Sequence, residues 1–369
     1  MSPVRIIALV CLAQTLAQIG AYSIPALLPN FIGEWSLTNT EAGWIVGMFY
    51  AGYTLSVPVL VSLTDRVDPK RIYLFGVGMT TVSALGYAVL ADGFWWAVFF
   101  RTLWGIGWAG TYMPGLKALS DFVEGPGQSR AVAAHAASVG ISGAASFVIA
   151  GTVAEWFGWR WGIALGGLGA GLAFVMMALF LPTRAPVPTP VLAGAPKTAL
   201  LDFRPVLRNR SALAYSLGYC VHTWEMNALR AWVVVFLTFV AASQSVGISG
   251  ESWVLEWVTP TVVATAMGLL GVWASVSGNE LARRFGRRRY IFIVMIMSMA
   301  VASVIGFASA LSYTVAAVLV LVYATLIWAD SSSLTAGAVG SALPGQRGAT
   351  LAVHSTLGYA GGFVGPLAM

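Results

Sequence analysis

The sequence predicts an all-α polytopic membrane protein, and three observations carry that reading. Of 369 residues, 58% are hydrophobic and only 9% are charged, whereas a water-facing surface needs about 25% charged residues. Mean hydropathy is +0.80. Eleven apolar stretches are each long enough to span the hydrocarbon core as a helix, which takes about 20 residues. Unbroken runs of this kind lack the alternation of a barrel wall. Soluble enzymes, nucleic-acid binders and disordered scaffolds are excluded at this step. The 41 glycines and 15 tryptophans suit helices packed in lipid with aromatic ends at the interface.

Spans are predicted near 5–33, 41–63, 72–91, 94–116, 131–155 and 160–182, and then near 211–241, 258–277, 290–310, 313–335 and 349–369. The first begins directly after Arg5 with no small-residue cleavage pattern, so no removable signal peptide is expected. Pro25 and Pro29 should bend it. Between the sixth and seventh spans, residues 183–210 form a polar linker whose prolines favour an extended spacer. The domains are therefore an N-terminal six-helix bundle (1–182), this linker, and a C-terminal bundle (211–369). Cys11 and Cys220 fall inside apolar stretches and read as packing residues, with neither the count nor the spacing for a disulfide framework or metal site.

Charge sets the orientation. All Lys and Arg except Arg101, Arg160 and Arg230 fall in segments that share one side with the N-terminus. The positive-inside rule makes that side cytoplasmic and accounts for the net charge of +6 without nucleic acid. The outer side collects Trp35, Trp44, Trp95, Trp96, Trp156, Trp159, Trp161, Trp253 and Trp257 as an interfacial belt.

The chain also repeats. Between spans two and three, Leu63, Arg66 and Lys70 match Leu281, Arg284 and Arg288 between spans eight and nine, at an offset of 218. Pro126-Gly127-Gln128 matches Pro344-Gly345-Gln346 at the same offset. Parallel repeats of this sort, related by an axis along the membrane normal, build one large class of secondary transporters. On that symmetry the second half should run about 30 residues past Met369 and include a twelfth span, so the sequence reads as C-terminally truncated.

These features resemble the major facilitator superfamily. Its loop pattern G-x-x-x-D-R-x-G-R-K is met by Asp65, Arg66 and Lys70, with Val61 and Asp68 where glycines are expected. The second copy keeps Arg284, Gly286, Arg287 and Arg288, but has Asn279 and Arg283 at the first glycine and the aspartate. Arg101, Gly105 and Gly107 match the fourth-span R-x-x-x-G-x-G pattern, and Gly158-Trp159-Arg160-Trp161 is also common in the family. The resemblance implies two six-helix bundles, alternating access, a bacterial cytoplasmic membrane, a monomer and no cofactor. Span five lacks the Gly-Pro motif of drug/proton antiporters, and spans two and eight lack the arginines of nitrate/nitrite porters. Solute symporters, including cyanate-like and organic-anion permeases, remain.

Charges at membrane depth are costly and face a cavity or a partner. Arg101, Glu225, Arg230 and Asp330 are such charges, and they balance in sign. Glu225, with His222 one turn earlier on the same face, is the expected proton-coupling carboxylate, or else half of a structural ion pair. Arg101 reads as an anion ligand or as a buried bundle lock. Arg230, nearer the outer end, reads as a ligand or as a snorkelling side chain. Asp330, beside Ser331, Ser332 and Ser333, reads as a gate or pathway residue. Gln14, Gln18 and Tyr22 form one stripe on span one that either faces a solute cavity or bonds a neighbouring helix. Asp65, Arg66, Lys70, Arg284 and Arg288 are expected to latch the bundles on the cytoplasmic side, or simply to set topology. His135 and His354 have no metal-ligand spacing. No phosphate-cradling loop and no nucleophile with a base occurs, so neither an enzyme nor an ATP-driven pump is expected. The function expected is secondary transport of a small polar or anionic solute by alternating access, coupled to protons. The alternatives are an exporter or facilitator without protons, and a transporter-like sensor or assembly protein.

Overall fold

The computed structural model describes residues 2–64, 66–123, 126–183, 203–244, 256–307, 312–343 and 346–368. Asp65, Trp253, the Pro344-Gly345 pair and most of the linker lie outside them. The described residues form helices with no strand. The N-terminal group is α1 (Pro3–Gln18), α2 (Ser23–Glu34), α3 (Asn39–Leu63), α4 (Pro69–Leu90), α5 (Phe94–Ala109), α6 (Tyr112–Ser120), α7 (Pro126–Phe157) and α8 (Trp159–Phe180). After the short α9 (Arg204–Arg208) come α10 (Arg210–Gln244), α11 (Pro260–Phe285), α12 (Arg287–Ile305), α13 (Tyr313–Ala329), α14 (Ser331–Gly340) and α15 (Arg347–Leu367). The linker reading is amended at its end, where Pro205 in the first turn of α9 fits a helix start.

Local chemistry sets the helix ends. Thr38 and Glu41 form a capping box at α3. Asp68 caps α4 ahead of Pro69, and Thr259 caps α11 ahead of Pro260. Each cap satisfies backbone N–H groups that the first turn leaves free. Gly158 and Gly286, at φ 86° and 87°, turn α7 into α8 and α11 into α12. A side chain there would be strained.

Three of the predicted spans are broken near mid-depth. The first breaks between α1 and α2, where the Gly20 and Gly166 backbones are so close that a Cβ on either would meet the other's Cα at 2.7 Å. The fourth breaks at Gly110-Thr111, where the Thr111 hydroxyl donates to the Trp108 carbonyl at 2.9 Å. The tenth breaks at Asp330, which ends α13 and starts α14. The single helices expected for these spans are thus each two half-helices.

The basic residues at α4 and α8 reach across to each other's helix. Lys70, at the start of α4, donates to the Ala178 carbonyl at 2.9 Å and to the Leu181 carbonyl at the end of α8. Arg160, at the start of α8, donates to the Ala88 carbonyl at 2.9 Å near the end of α4. Each antiparallel helix supplies the cation that satisfies the other's orphan carbonyls. This accounts for Arg160 as the lone basic residue on its face.

That face, the aromatic face, carries exposed Trp95, Trp156, Trp161 and Trp257. Trp159 departs from the expected belt: it is buried, and its indole N–H donates to Glu34 at 2.6 Å. The larger hydrophobic core joins both bundles, from Ile24, Phe31 and Ile45 to Val234, Leu237 and Val263. These residues lie in the half of the molecule toward the aromatic face. Toward the opposite, basic face a separate core of Val10, Tyr73, Leu119 and Met177 belongs to the N-terminal bundle alone.

Candidate functional site

A cavity of about 450 Å³ lies at mid-depth between the bundles. Tyr22 beside the first break, Tyr112 beside the second and Trp328 beside the third line it, so each half-helix pair delivers an aromatic ring to it. Toward the basic face the lining continues through Ala136, Ala137, Ser275, Val276, Ser331 and Ser332. The bundles meet on its other side, where the Val148 N–H donates to the Thr265 hydroxyl at 3.1 Å; next to it, within the N-terminal bundle, Tyr22 stacks on Phe147 at 5.3 Å. A second cavity of about 910 Å³ lies beyond these contacts at the aromatic face, lined by Asn30, Thr152, Glu155, Glu256 and Trp257.

Arg230 is the charged side chain among those lining the central cavity. Its guanidinium sits 4.8 Å from the Tyr22 ring and 4.8 Å from the Trp328 ring. Both rings lie within cation–π distance of the guanidinium, a planar fork of N–H donors that matches a carboxylate. One edge meets the Asn227 carbonyl oxygen at 3.4 Å. No carboxylate among the described residues is within ion-pairing distance of it. Of the two expectations for Arg230, the structure places it in the cavity wall between the Tyr22 and Trp328 rings.

Below Arg230, toward the basic face, His222 Nδ1 lies 2.8 Å from Asp330 Oδ1, both side chains almost wholly buried. Asp330 is two residues beyond Trp328, so one helix break carries both the ring that holds Arg230 and the carboxylate that holds His222. Gly278 lets α11 press against this break, since a Cβ there would collide with the Ala329 carbonyl. Across the same gap the Ser275 and Ser332 hydroxyls bond at 2.6 Å. Tyr219 stacks on both His222 and His354, at 5.5 Å and 4.1 Å, and His354 Nε2 bonds the Thr335 hydroxyl at 3.2 Å. His135 stacks on Tyr112 at 5.7 Å. All 3 histidines of the chain are thus buried on tyrosines at or below the cavity.

The other sequence candidates lie elsewhere. Glu225 does not line the cavity. It accepts from the Ser298 hydroxyl of α12 at 3.3 Å and from the Tyr323 hydroxyl of α13, because it sits about 140–160° around α10 from the cavity-lining Thr223, Asn227 and Arg230. Nor is it paired with Arg101 or Arg230. Arg101 is 1% exposed and packs over Phe49 at 4.4 Å and Trp104 at 5.4 Å, inside the N-terminal bundle. Gln14 and Gln18 are buried away from the cavity, their amide atoms without hydrogen-bond partners among the described residues. The break after Gln18 resets the helical phase, so only Tyr22 of that stripe reaches the cavity.

The residues expected to latch the bundles lie apart in this structure. Lys70 bonds α8 of its own bundle, and Arg284 lies 3.9 Å from Glu280 on its own helix. Arg66 is exposed, Arg288 lines a groove with Arg210 and Tyr215, and Asp65 lies outside the described residues. Among the described residues none of the four joins the two bundles.

The sequence reading missed the rings around the cavity, above all Trp108, Tyr50, Tyr219, Trp328 and Tyr359. The Tyr53–Tyr359 stack at 3.8 Å joins the bundles beside it. Aromatic residues at mid-span, rather than at span ends, were the signal available.

The Major Facilitator Superfamily profile matches residues 10–366. Protein spinster homolog 3 of Danio rerio is 26% identical over 247 residues, which cover 64% of this chain and 49% of that protein. Protein spinster homolog 1 of Homo sapiens is 23% identical over 240 residues, covering 63% and 45%. The chain spans about half the length of the curated relatives it matches. A crystal structure of a bacterial homolog to human lysosomal transporter, spinster, in an inward-facing and unoccupied conformation superposes with a TM-score of 0.77 at 17% identity, over 99% of this chain and 81% of that one. At that identity the likeness is one of fold.

Proposed function

Because the chain belongs to the Major Facilitator Superfamily, we propose that it is a secondary transporter which moves a small anionic solute through the central cavity by alternating access, in symport with protons. One observation carries this reading: among the described residues Arg230 is the charged side chain that lines a cavity between the bundles, and Asp330 of the buried His222–Asp330 pair sits on the same helix break as Trp328, the ring beside it.

Charge conservation at membrane depth supplies the coupling. In formal charge Arg101 and Arg230 balance Glu225 and Asp330, so the empty carrier is formally neutral. An anion alone at Arg230 makes the core net negative, and a proton alone on His222 or Asp330 makes it net positive. Either state carries an uncompensated charge through low dielectric, which is costly. Only the empty and the doubly loaded carriers are neutral, so these are the forms that rock. The bundles pivot about the mid-depth contacts, exchanging the gap on the basic side for one on the aromatic side. By the distribution of Lys and Arg, the basic side is cytoplasmic.

The coupling role that the sequence alone gives to Glu225 is assigned here to the His222–Asp330 pair, since Asp330 sits on the helix break two residues beyond Trp328, the ring beside Arg230, whereas Glu225 is held by Ser298 and Tyr323. The test is uptake of labelled small anions, amino acids and sugars into proteoliposomes, with and without an inward proton gradient. Wild type should accumulate an anion only with the gradient, and Asp330→Asn should abolish that accumulation. Uptake indifferent to both gradient and substitution would remove proton coupling. Uptake lost in Glu225→Gln but kept in Asp330→Asn would return the role to Glu225.

A further inference from the structure

We propose that the central cavity is built for a flat, aromatic monocarboxylate, held by its carboxylate on the edge of Arg230 and by its ring among the cavity's own rings. This specifies the solute class of the transport reading and rests on it for its physiological meaning.

The count of charges fixes the valence. Arg230 is the charged residue among those described around the cavity; one proton on the His222–Asp330 pair offsets a monoanion bound there, whereas a dianion with one proton leaves a charge unmatched at membrane depth. Phosphate monoesters are disfavoured on that ground, and carboxylates fit. The guanidinium favours a carboxylate as the anion. With the Tyr22 and Trp328 rings each 4.8 Å from it, its N–H fork offers two parallel donors that match two carboxylate oxygens. Asn227 anchors the geometry. Its amide nitrogen donates to the Thr223 carbonyl at 2.9 Å, which leaves its oxygen aimed at Arg230.

The rest of the wall fixes the body. Tyr50, Trp108, Tyr219, Phe147 and Tyr359 line the same space with Met226 and Met267. Aromatic faces and edges reward a ring placed among them beyond the burial of its area, and methionine sulfur adds favourable contact with a ring. A saturated chain of equal size would gain the burial alone. The volume of about 450 Å³ lies within the range of about 300–1,000 Å³ found for small-molecule sites.

Equilibrium binding of radiolabelled benzoate to the full chain in nanodiscs tests the assignment, with unlabelled benzamide, acetate and decanoate as competitors. The neutral amide should compete at least about tenfold more weakly than benzoate, as loss of a charge-assisted contact implies. Acetate, lacking the ring, and decanoate, lacking the flat body, should also be weaker. Arg230→Gln should lower benzoate affinity by at least about tenfold, and Arg230→Lys, which keeps the charge but loses the fork, should fall between. Benzamide equal to benzoate overturns the anion assignment, and decanoate stronger than benzoate overturns the aromatic one. Failure of wild type to bind benzoate overturns the proposal outright and needs no variant. Binding is read without a gradient, so such a failure alongside gradient-driven flux of another solute leaves the transport reading standing. Benzoate binding with no flux would break that reading instead.

Discussion

Arg101 and Arg230 are the same residue at similar depth, each laid against two aromatic rings, yet only one faces a cavity. Arg101 is closed inside the N-terminal bundle over Phe49 and Trp104, with Nε and Nη1 unbonded among the described residues. Arg230 spans the junction, with one ring of its clamp from each bundle: Tyr22 from the N-terminal and Trp328 from the C-terminal. An aromatic clamp therefore does not by itself identify a ligand site. What distinguishes the two is where the guanidinium edge points, and whether the clamp can come apart when the bundles move.

This contrast can be broken most sharply at Arg230. Arg230→Gln should lower solute affinity on the order of 10–100-fold, the range for losing a hydrogen-bonded charge partner, measured by equilibrium binding. Arg101→Met should leave that affinity unchanged and alter only thermal stability, since its side chain does not line the cavity. Equal losses from the two substitutions would erase the distinction. Next in size is the coupling step. Under a gradient of one pH unit a one-to-one proton symporter accumulates solute about tenfold, and Asp330→Asn should reduce this to equality while still exchanging labelled for unlabelled solute. Exchange lost together with accumulation would make Asp330 a binding residue.

Smaller effects probe the scaffold. Gly278→Val should destabilise the protein by about 1–3 kcal/mol through overpacking against the Ala329 carbonyl, read by thermal melting. A normal melting temperature would mean the break at Asp330 yields freely. Lys70→Met should lower stability by about 1–3 kcal/mol, because buried carbonyls at the end of α8 lose a charged donor. Solute affinity should not change, in contrast to a residue of an inter-bundle latch.

Much of this was legible in the sequence, for physical reasons. Length and apolarity locate spans because bilayer thickness sets a hard requirement, and a walk along the chain finds Arg101, Glu225, Arg230 and Asp330 because charge is rare there. Which of them face a common space is not legible, because that depends on helix phase. The breaks at residues 19–22, 110–111 and 330 shift the phase without any proline at the break itself. So Gln14 and Gln18 lose their place beside Tyr22, and Asp330 moves from a helix-end position to the hinge under the cavity. The rings of the cavity escape for a different reason. In a chain with 12% aromatic residues, Tyr219 or Tyr359 looks like any packing residue until the partner helix is placed.

Neutral coupling of one proton to one anion can be read from the accumulation ratio. Proteoliposomes holding the full chain would be set at a series of pH differences, with the membrane potential clamped by potassium and valinomycin. The solute is the anion identified by the uptake panel. Accumulation should rise about tenfold per pH unit and stay unmoved when the clamped potential is changed. Accumulation driven by the potential at zero pH difference would contradict neutral coupling.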